Sequence, residues 1–190
     1  MRLGARYAED VQRYGYVWGL TDMWEDRFVI APQFEMAEDF AEDVGCVRLD
    51  GKYGFIDTTG QWVIPPQFDY ARSFSWGRAV VAVGEQYGYI DHTGQFLIPP
   101  QFEGAGDFQR PLTPAKLGGK WGYIGPDGTW AIPPQFDCAG HFDVDDRAYV
   151  TLGKQNSRID RYGDPAAGFS VSDRASFDQA RANLRKAGCT

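Results

Sequence analysis

The sequence predicts an all-β fold built from tandem repeats, and three observations predict it. The stretch Lys52 to Phe74 returns at Gln86 to Phe108 and again at Lys120 to Phe142, thirty-four residues on each time. Self-similarity at such a period is the mark of a repeat architecture. Aromatic residues make up 15% of the chain, and it carries 23 Gly and 11 Pro, which suits short strands and many turns better than long helices. Within each copy, short apolar and aromatic runs lie between turn signals.

Each copy reads as three strands, as in the one centred on Gly88. Arg78 to Val83 is the first, and Gly84-Glu85 makes a tight turn. Tyr87 to Asp91 is the second. Its turn, Asp91-His92-Thr93-Gly94, has Asp first and Gly fourth, as a type I turn prefers. Gln95 to Ile98 is the third, and Pro99-Pro100 is expected to end it, because proline cannot donate to a ladder. Phe102, Ala105 and Phe108 follow at intervals of three, the spacing of one side of a helical turn.

A three-stranded meander cannot bury its own apolar face, so the units are expected to stack and share a core. The expected repeats are about 1–40, 41–74, 75–108, 109–142 and a degenerate 143–164, together one domain over 1–164. The first copy is aligned on Gly15, with five extra residues in one turn, so that Met1 falls at a repeat start. The tail 165–190 holds one helical pattern, about 177–187, with Ser176 and Gln179 as a capping box and Gly188 as a stop. Its face of Phe177, Ala180, Leu184 and Ala187 suits a cap on the stack. The arrangement predicted is an open superhelical stack with this capping helix. A small closed propeller-like ring is the alternative.

The best copies share the pattern [KQ]-[WY]-G-[YF]-I-[DG]-x-x-G-x-[WF]-x-I-P-P-Q-F-x-x-A-x-x-F. This resembles the WG-repeat family of bacterial β-rich repeats. The resemblance covers about residues 13–142 well and 143–164 weakly. It implies repeat architecture and a role in interaction, and it implies no catalytic residues. The chain departs from the family pattern at the first turn, at Gly125 in place of Asp, at Trp76, and in the last copy.

Most repeated residues read as scaffold, since a packing group is needed in every unit and a catalytic group only once. Gly54, Gly88 and Gly122, each between two aromatics, are expected to let a ring lie against the backbone. Asp57 and Asp91 cap their turns. Pro65-Pro66, Pro99-Pro100 and Pro133-Pro134 stiffen the corners. Trp62, Trp121 and Trp130 occupy repeated aromatic positions and are expected in the core.

No catalytic or metal constellation stands out, so neither an enzyme nor a cofactor is expected. His92 and His141 are not paired as ligands or as acid and base, and His92 reads as an exposed, variable turn residue. Cys46 and Cys138 align with packing positions, and the three cysteines are expected reduced, in a cytoplasmic protein. A net charge of −7 argues against a nucleic-acid binder. No apolar run reaches membrane-spanning length, and the first residues lack the apolar core of a signal peptide.

Function in a repeat array lies where a unit departs from its neighbours. Trp18, Trp24 and Trp76 are read as departures: the first two as either a terminal cap or a binding site, the third as a binding residue. Glu42-Asp43 and Asp145-Asp146 lie in acidic runs at equivalent corners, read as a solvated rim rather than a calcium site. The leading expectation is a non-enzymatic interaction module with an acidic, Trp-bearing surface. Its partner would be another protein, basic in character, with an inhibitor or immunity-type role as one version. The alternative is a carbohydrate or small-ligand binder.

Overall fold

The computed structural model describes residues 3–10, 15–22, 27–153 and 155–165. The chain divides into two compact units, Met1–Pro100 and Gln101–Thr190. The first unit opens with β1 (Leu3–Asp10), β2 (Gly15–Asp22) and β3 (Arg27–Phe34), an antiparallel sheet in chain order. A second sheet holds β4 (Met36–Ala37), β5 (Val44–Leu49), β6 (Lys52–Asp57) and β7 (Trp62–Phe68). A third holds β8 (Tyr70–Ala71), β9 (Ala79–Val83), β10 (Gln86–Ile90) and β11 (Phe96–Phe102). The second unit contains β12 (Gly104–Ala105), β13 (Thr113–Leu117), β14 (Lys120–Ile124) and β15 (Trp130–Phe136). Its last sheet is β16 (Cys138–Ala139), β17 (Arg147–Leu152) and β18 (Gln155–Asp160).

The fold is all-β: tandem antiparallel sheets of three or four strands, with no helix among the described residues. The expected helix at 177–187 lies outside those residues. No helix of the described residues is long and apolar enough to cross a membrane.

Two expectations about the strands are corrected. The segment after each Gln-Phe is not a helical turn. It adds a two-residue strand to the next sheet: Asp69 N donates to Ala82 O at 3.0 Å, and Arg72 N to Val80 O at 3.2 Å. The complete repeats therefore have four strands. Nor do the prolines end their strand, since β7 runs through both Pro65 and Pro66. The register explains how. Tyr53 faces Phe68 and Phe55 faces Ile64, so two steps along β6 oppose four along β7. The prolines sit in that bulge, where no ladder donor is required of them.

The strand glycine makes the bulge possible. A β-carbon on Gly54 would lie 2.7 Å from Ile64 O and 2.7 Å from Pro66 N. On Gly88 it would lie 2.6 Å from Ile98 O and 2.8 Å from Pro100 N. It is the bulged backbone, not an aromatic ring, that occupies the missing side chain's space.

The same bulge corrects the first repeat. Trp18 faces Phe34 and Leu20 faces Ile30, so Gly19, not Gly15, stands where Gly54 stands in the next sheet. Gly54 precedes Phe68 by fourteen residues and Gly19 precedes Phe34 by fifteen, so the turn holds one extra residue rather than five. Tyr14-Gly15-Tyr16 imitates the motif, which is why sequence alone misplaces it.

Within each unit the core lies between successive sheets. Phe55, Ile64 and Phe68 pack with Ala71, Phe74, Val81 and Ile90 of the next sheet and its approach. Ile30, Phe34 and Ala37 pack with Val47 and Ile56. Tyr123, Ile132 and Phe136 pack with Ala139, Phe142, Val150 and Ile159 in the second unit. Burial of each large side chain contributes roughly 1.5–3 kcal/mol.

Turn carboxylates lock the geometry. Asp57 Oδ1 accepts from Thr59 N (2.8 Å), Thr59 Oγ1 (2.7 Å) and Gln61 N (3.0 Å). Asp91 repeats this with Thr93 and Gln95. Where Gly125 replaces the Asp, Asp127 takes the Thr129 hydroxyl and amide instead. The last described copy keeps the turn through Asp160, which accepts from Tyr162 N and Asp164 N. The Thr hydroxyl bonds hold Asp57, Asp91 and Asp127 below the ordinary carboxylate range. Lys52 and Lys120 do the same for Asp69 and Asp137.

Gly88→Ala forces Cβ into backbone and is expected to cost about 1–3 kcal/mol. Gly140→Ala meets only an ordinary 3.6 Å contact and is expected to be neutral or slightly stabilising. Urea midpoints measure both, and equal midpoints would refute the interlock. The lowered carboxyls contribute stability above their unfolded pKa of about 4, and it is lost as pH falls through the lower folded values. The thermal midpoint should stay level above about pH 5 and drop steadily below about pH 4. A midpoint unchanged to about pH 2 would show the turn carboxylates to be irrelevant.

Candidate functional site

Trp76 sits in a two-residue turn between Ser75 and Arg78. Ser75 N donates to Arg78 O at 2.9 Å, and Arg78 N returns the bond to Ser75 O at 3.3 Å. Both central residues have positive φ, 56° at Trp76 and 72° at Gly77. That is a type I′ pattern, which favours Asn-Gly and penalises a bulky first residue. Trp76 is nevertheless there, and it is 62% exposed.

The preceding repeat has the equivalent turn at Ala41–Val44, with Glu42 at φ 54° and Asp43 at φ 67°. Glu42 reaches across, and its carboxylate accepts from Gly77 N at 3.0 and 3.2 Å. His92 Nε2 lies 3.2 Å from Glu42 Oε2. The His92 ring stacks on Phe74 at 4.1 Å with the planes 13° apart. Beside them, Glu38 Oε2 accepts from Ser73 N (2.8 Å) and Ser73 Oγ (2.6 Å). Trp76, Glu42, Asp43 and His92 thus form one edge of the first unit. His92 is no idle turn residue; it anchors the carboxylate that holds the Trp76 turn.

The other expected site residues are placed elsewhere or lie outside the described set. Asp145 and Asp146 belong to the second unit. Their turn is held by Asp143 Oδ1, which accepts from Asp145 N (2.9 Å) and Arg147 N (3.1 Å). Arg158 pairs with Asp143, and Arg161 with Asp146. Partial burial works to raise the Asp143 carboxyl, and the Arg158 hydrogen bond with the two amides brings it below the usual range. Trp18 occupies the register position that Tyr53 holds one sheet later, so it is a motif aromatic and not a departure. Trp24 lies outside the described residues.

The motif aromatics are corrected in turn. Trp62 is 38% exposed and Phe96 42%, while Trp121 and Trp130 are half-buried, so none is fully in the core. Trp62 meets Phe34 edge to face with centroids 6.1 Å apart. Phe96 meets Phe68 in the same way at 6.4 Å, and Trp130 meets Phe102 at 5.7 Å. A second row, Tyr53, Tyr70 and Tyr87, is half-buried with successive centroids 5.9 and 5.6 Å apart.

Cys46 is buried and free, and burial pushes its thiol far up, with Glu38 adding to the effect. It is a packing residue, as expected. Cys138 is disulfide-bonded, which overturns the expectation of three reduced thiols. No group of three or more His, Cys, Asp or Glu among the described residues is placed to hold a metal ion.

One repeated residue escaped the sequence reading. Glu35, Asp69, Glu103 and Asp137 each follow a Gln-Phe pair. Each carboxylate accepts from a hairpin glycine: Glu35 from Gly51 N, Asp69 from Gly84 N, Glu103 from Gly118 N and Gly119 N, Asp137 from Gly153 N. The signal was an acid at one position in four copies.

Among solved structures, a hemopexin fold protein, CP4 from cow pea, is 16% identical, with 68% of this chain and 87% of that chain covered and a TM-score of 0.29. A 2S albumin seed protein from Dolichos is also 16% identical, with 73% and 85% covered and a TM-score of 0.27. No curated protein matches. The model of the WG containing repeat matches residues 18–53, 53–86, 87–121 and 121–155, beginning at Trp18 as the strand register requires. With four tandem copies spanning most of its length, the chain belongs to the WG-repeat family.

Proposed function

We propose that this protein is a non-enzymatic interaction module whose acidic, Trp-bearing edge takes a basic protein partner. The observation that carries the reading is Trp76. An exposed tryptophan at φ 56° is a choice the fold does not favour, in a turn where Asn would cost less. Exposed aromatic anchors are the side chains on which protein interfaces concentrate their energy. Glu42 and Asp43 beside it, with a net charge of −7, complement a basic surface. An inhibitor or immunity-type role against a basic protein is the version that size and charge support. We place the protein in the cytoplasm on the sequence pattern, although the disulfide at Cys138 pulls against that location. We also propose that the sheets continue as an open stack. A radius of gyration near the ~16 Å of a compact domain of this length would count against the stack.

A second reading, a carbohydrate binder, has one observation in its favour. Trp62 and Phe96 are exposed at equivalent positions of successive repeats, beside Val63 and Leu97.

Trp76→Asn separates fold from function. The thermal midpoint should hold or rise by a few degrees, since about 1 kcal/mol of relieved strain is worth roughly 2–4 °C here. Capture of a basic protein from native lysate should fall more than about tenfold, and a Glu42→Gln, Asp43→Asn double variant should weaken it and flatten its salt dependence. If all three proteins capture the same partner equally, the edge is not the site. Tryptophan fluorescence titrated with oligosaccharides, against Trp62→Ala, decides the second reading; no saturable change in the parent protein would sink it.

A further inference from the structure

The second unit contains a cavity of about 400 Å³ that the Trp76 reading does not use. Arg110, Pro111 and Leu112 contribute from the connection between β12 and β13. Ala131 of β15, itself exposed, and the buried Phe142 add apolar lining, and Asp146, Arg161 and Tyr162 add polar groups. The volume falls in the range of small-molecule sites, which combine a mostly apolar lining with a few polar groups.

The charges of the lining are not equivalent. Arg161 is paired with Asp146, so the two largely neutralise each other. Arg110 is half-buried and has no hydrogen bond or ion-pair partner among the described residues. A guanidinium drawn partly out of water beside an apolar lining is open to a bidentate anion. Tyr162, 78% exposed, stands at the mouth, where its ring can cover a ligand. Phe142, 6% exposed, presents a fixed apolar surface.

We infer that this cavity binds a small amphipathic carboxylate, its anionic end on Arg110 and its apolar ring or chain over Leu112, Ala131 and Phe142. An apolar molecule without charge would leave Arg110 unanswered. An inorganic anion would leave the apolar lining wet. The residues select for both features in one ligand.

The test is calorimetric titration of the full-length protein with 2-naphthoate, its neutral amide 2-naphthamide, and inorganic phosphate. Naphthoate is expected to bind in the range of about 0.1–1 mM, and the amide at least about tenfold more weakly. Phosphate should not compete. Arg110→Gln should lose naphthoate binding while its thermal midpoint stays that of the parent protein. Tyr162→Ala should weaken binding several-fold. Equal binding of acid and amide, competition by phosphate, or undiminished binding to Arg110→Gln overturns the assignment. So does failure of naphthoate to bind at all.

Discussion

Everything in this fold depends on the fit between one glycine and one pair of prolines. Pairing two steps of β6 with four steps of β7 bends the outer strand toward its partner. That bend brings Ile64 O and Pro66 N to where a β-carbon on Gly54 would stand. The prolines tolerate the bulge because they owe the ladder no hydrogen bond there. The glycine tolerates it because it has no side chain to displace. The two recur together at Gly88 with Pro99-Pro100 and at Gly122 with Pro133-Pro134, while the first repeat makes the same bulge at Gly19 with Ala31-Pro32.

The bulge also sets what each repeat offers the next. It leaves Ile64 and Phe68 buried on the face shared with the following sheet. Ile64 then lies 3.3 Å from where a β-carbon on Gly94 would be, and Ile30 stands in the same relation to Gly60 at 3.2 Å. These turn glycines have φ of 84° and 88°, a conformation their capping Asp residues enforce. A polar turn and an apolar core are thus one device: the carboxylate shapes the loop, and the loop's bare glycine seats the isoleucine of the preceding repeat.

Much of this was legible in the sequence, and the limits are physical ones. The thirty-four-residue period and the turn chemistry at Asp57 and Asp91 are local, and they read directly. The bulge did not, because a Pro-Pro pair looks like a strand end unless the partner glycine is known to face it. The first copy misled because Tyr14-Gly15-Tyr16 fits the motif and Trp18-Gly19-Leu20, with Leu in place of Tyr or Phe, does not, and only pairing with Phe34 and Ile30 chooses between them. At the candidate site, Trp76 was visible as a departure from the pattern. The His92–Glu42 contact was not, since it joins residues fifty positions apart whose neighbours in sequence say nothing of each other.

The turn at Trp76 shows why departures from a repeat carry information that the repeat itself does not. Glu42 and Asp43 occupy the matching turn with positive φ, and Glu42 is used, since it holds Gly77 N and His92. Its strain is offset by contacts inside the molecule. Trp76 bears the same backbone cost with its side chain largely in solvent. A residue kept in an unfavourable conformation needs a return from somewhere. Within the described fold the indole draws little, whereas its partner glycine and the carboxylate behind it are fixed by several bonds. The scaffold therefore fixes the backbone beneath this exposed aromatic side chain, on an acidic edge. That is the physical requirement for an anchor residue in a protein interface.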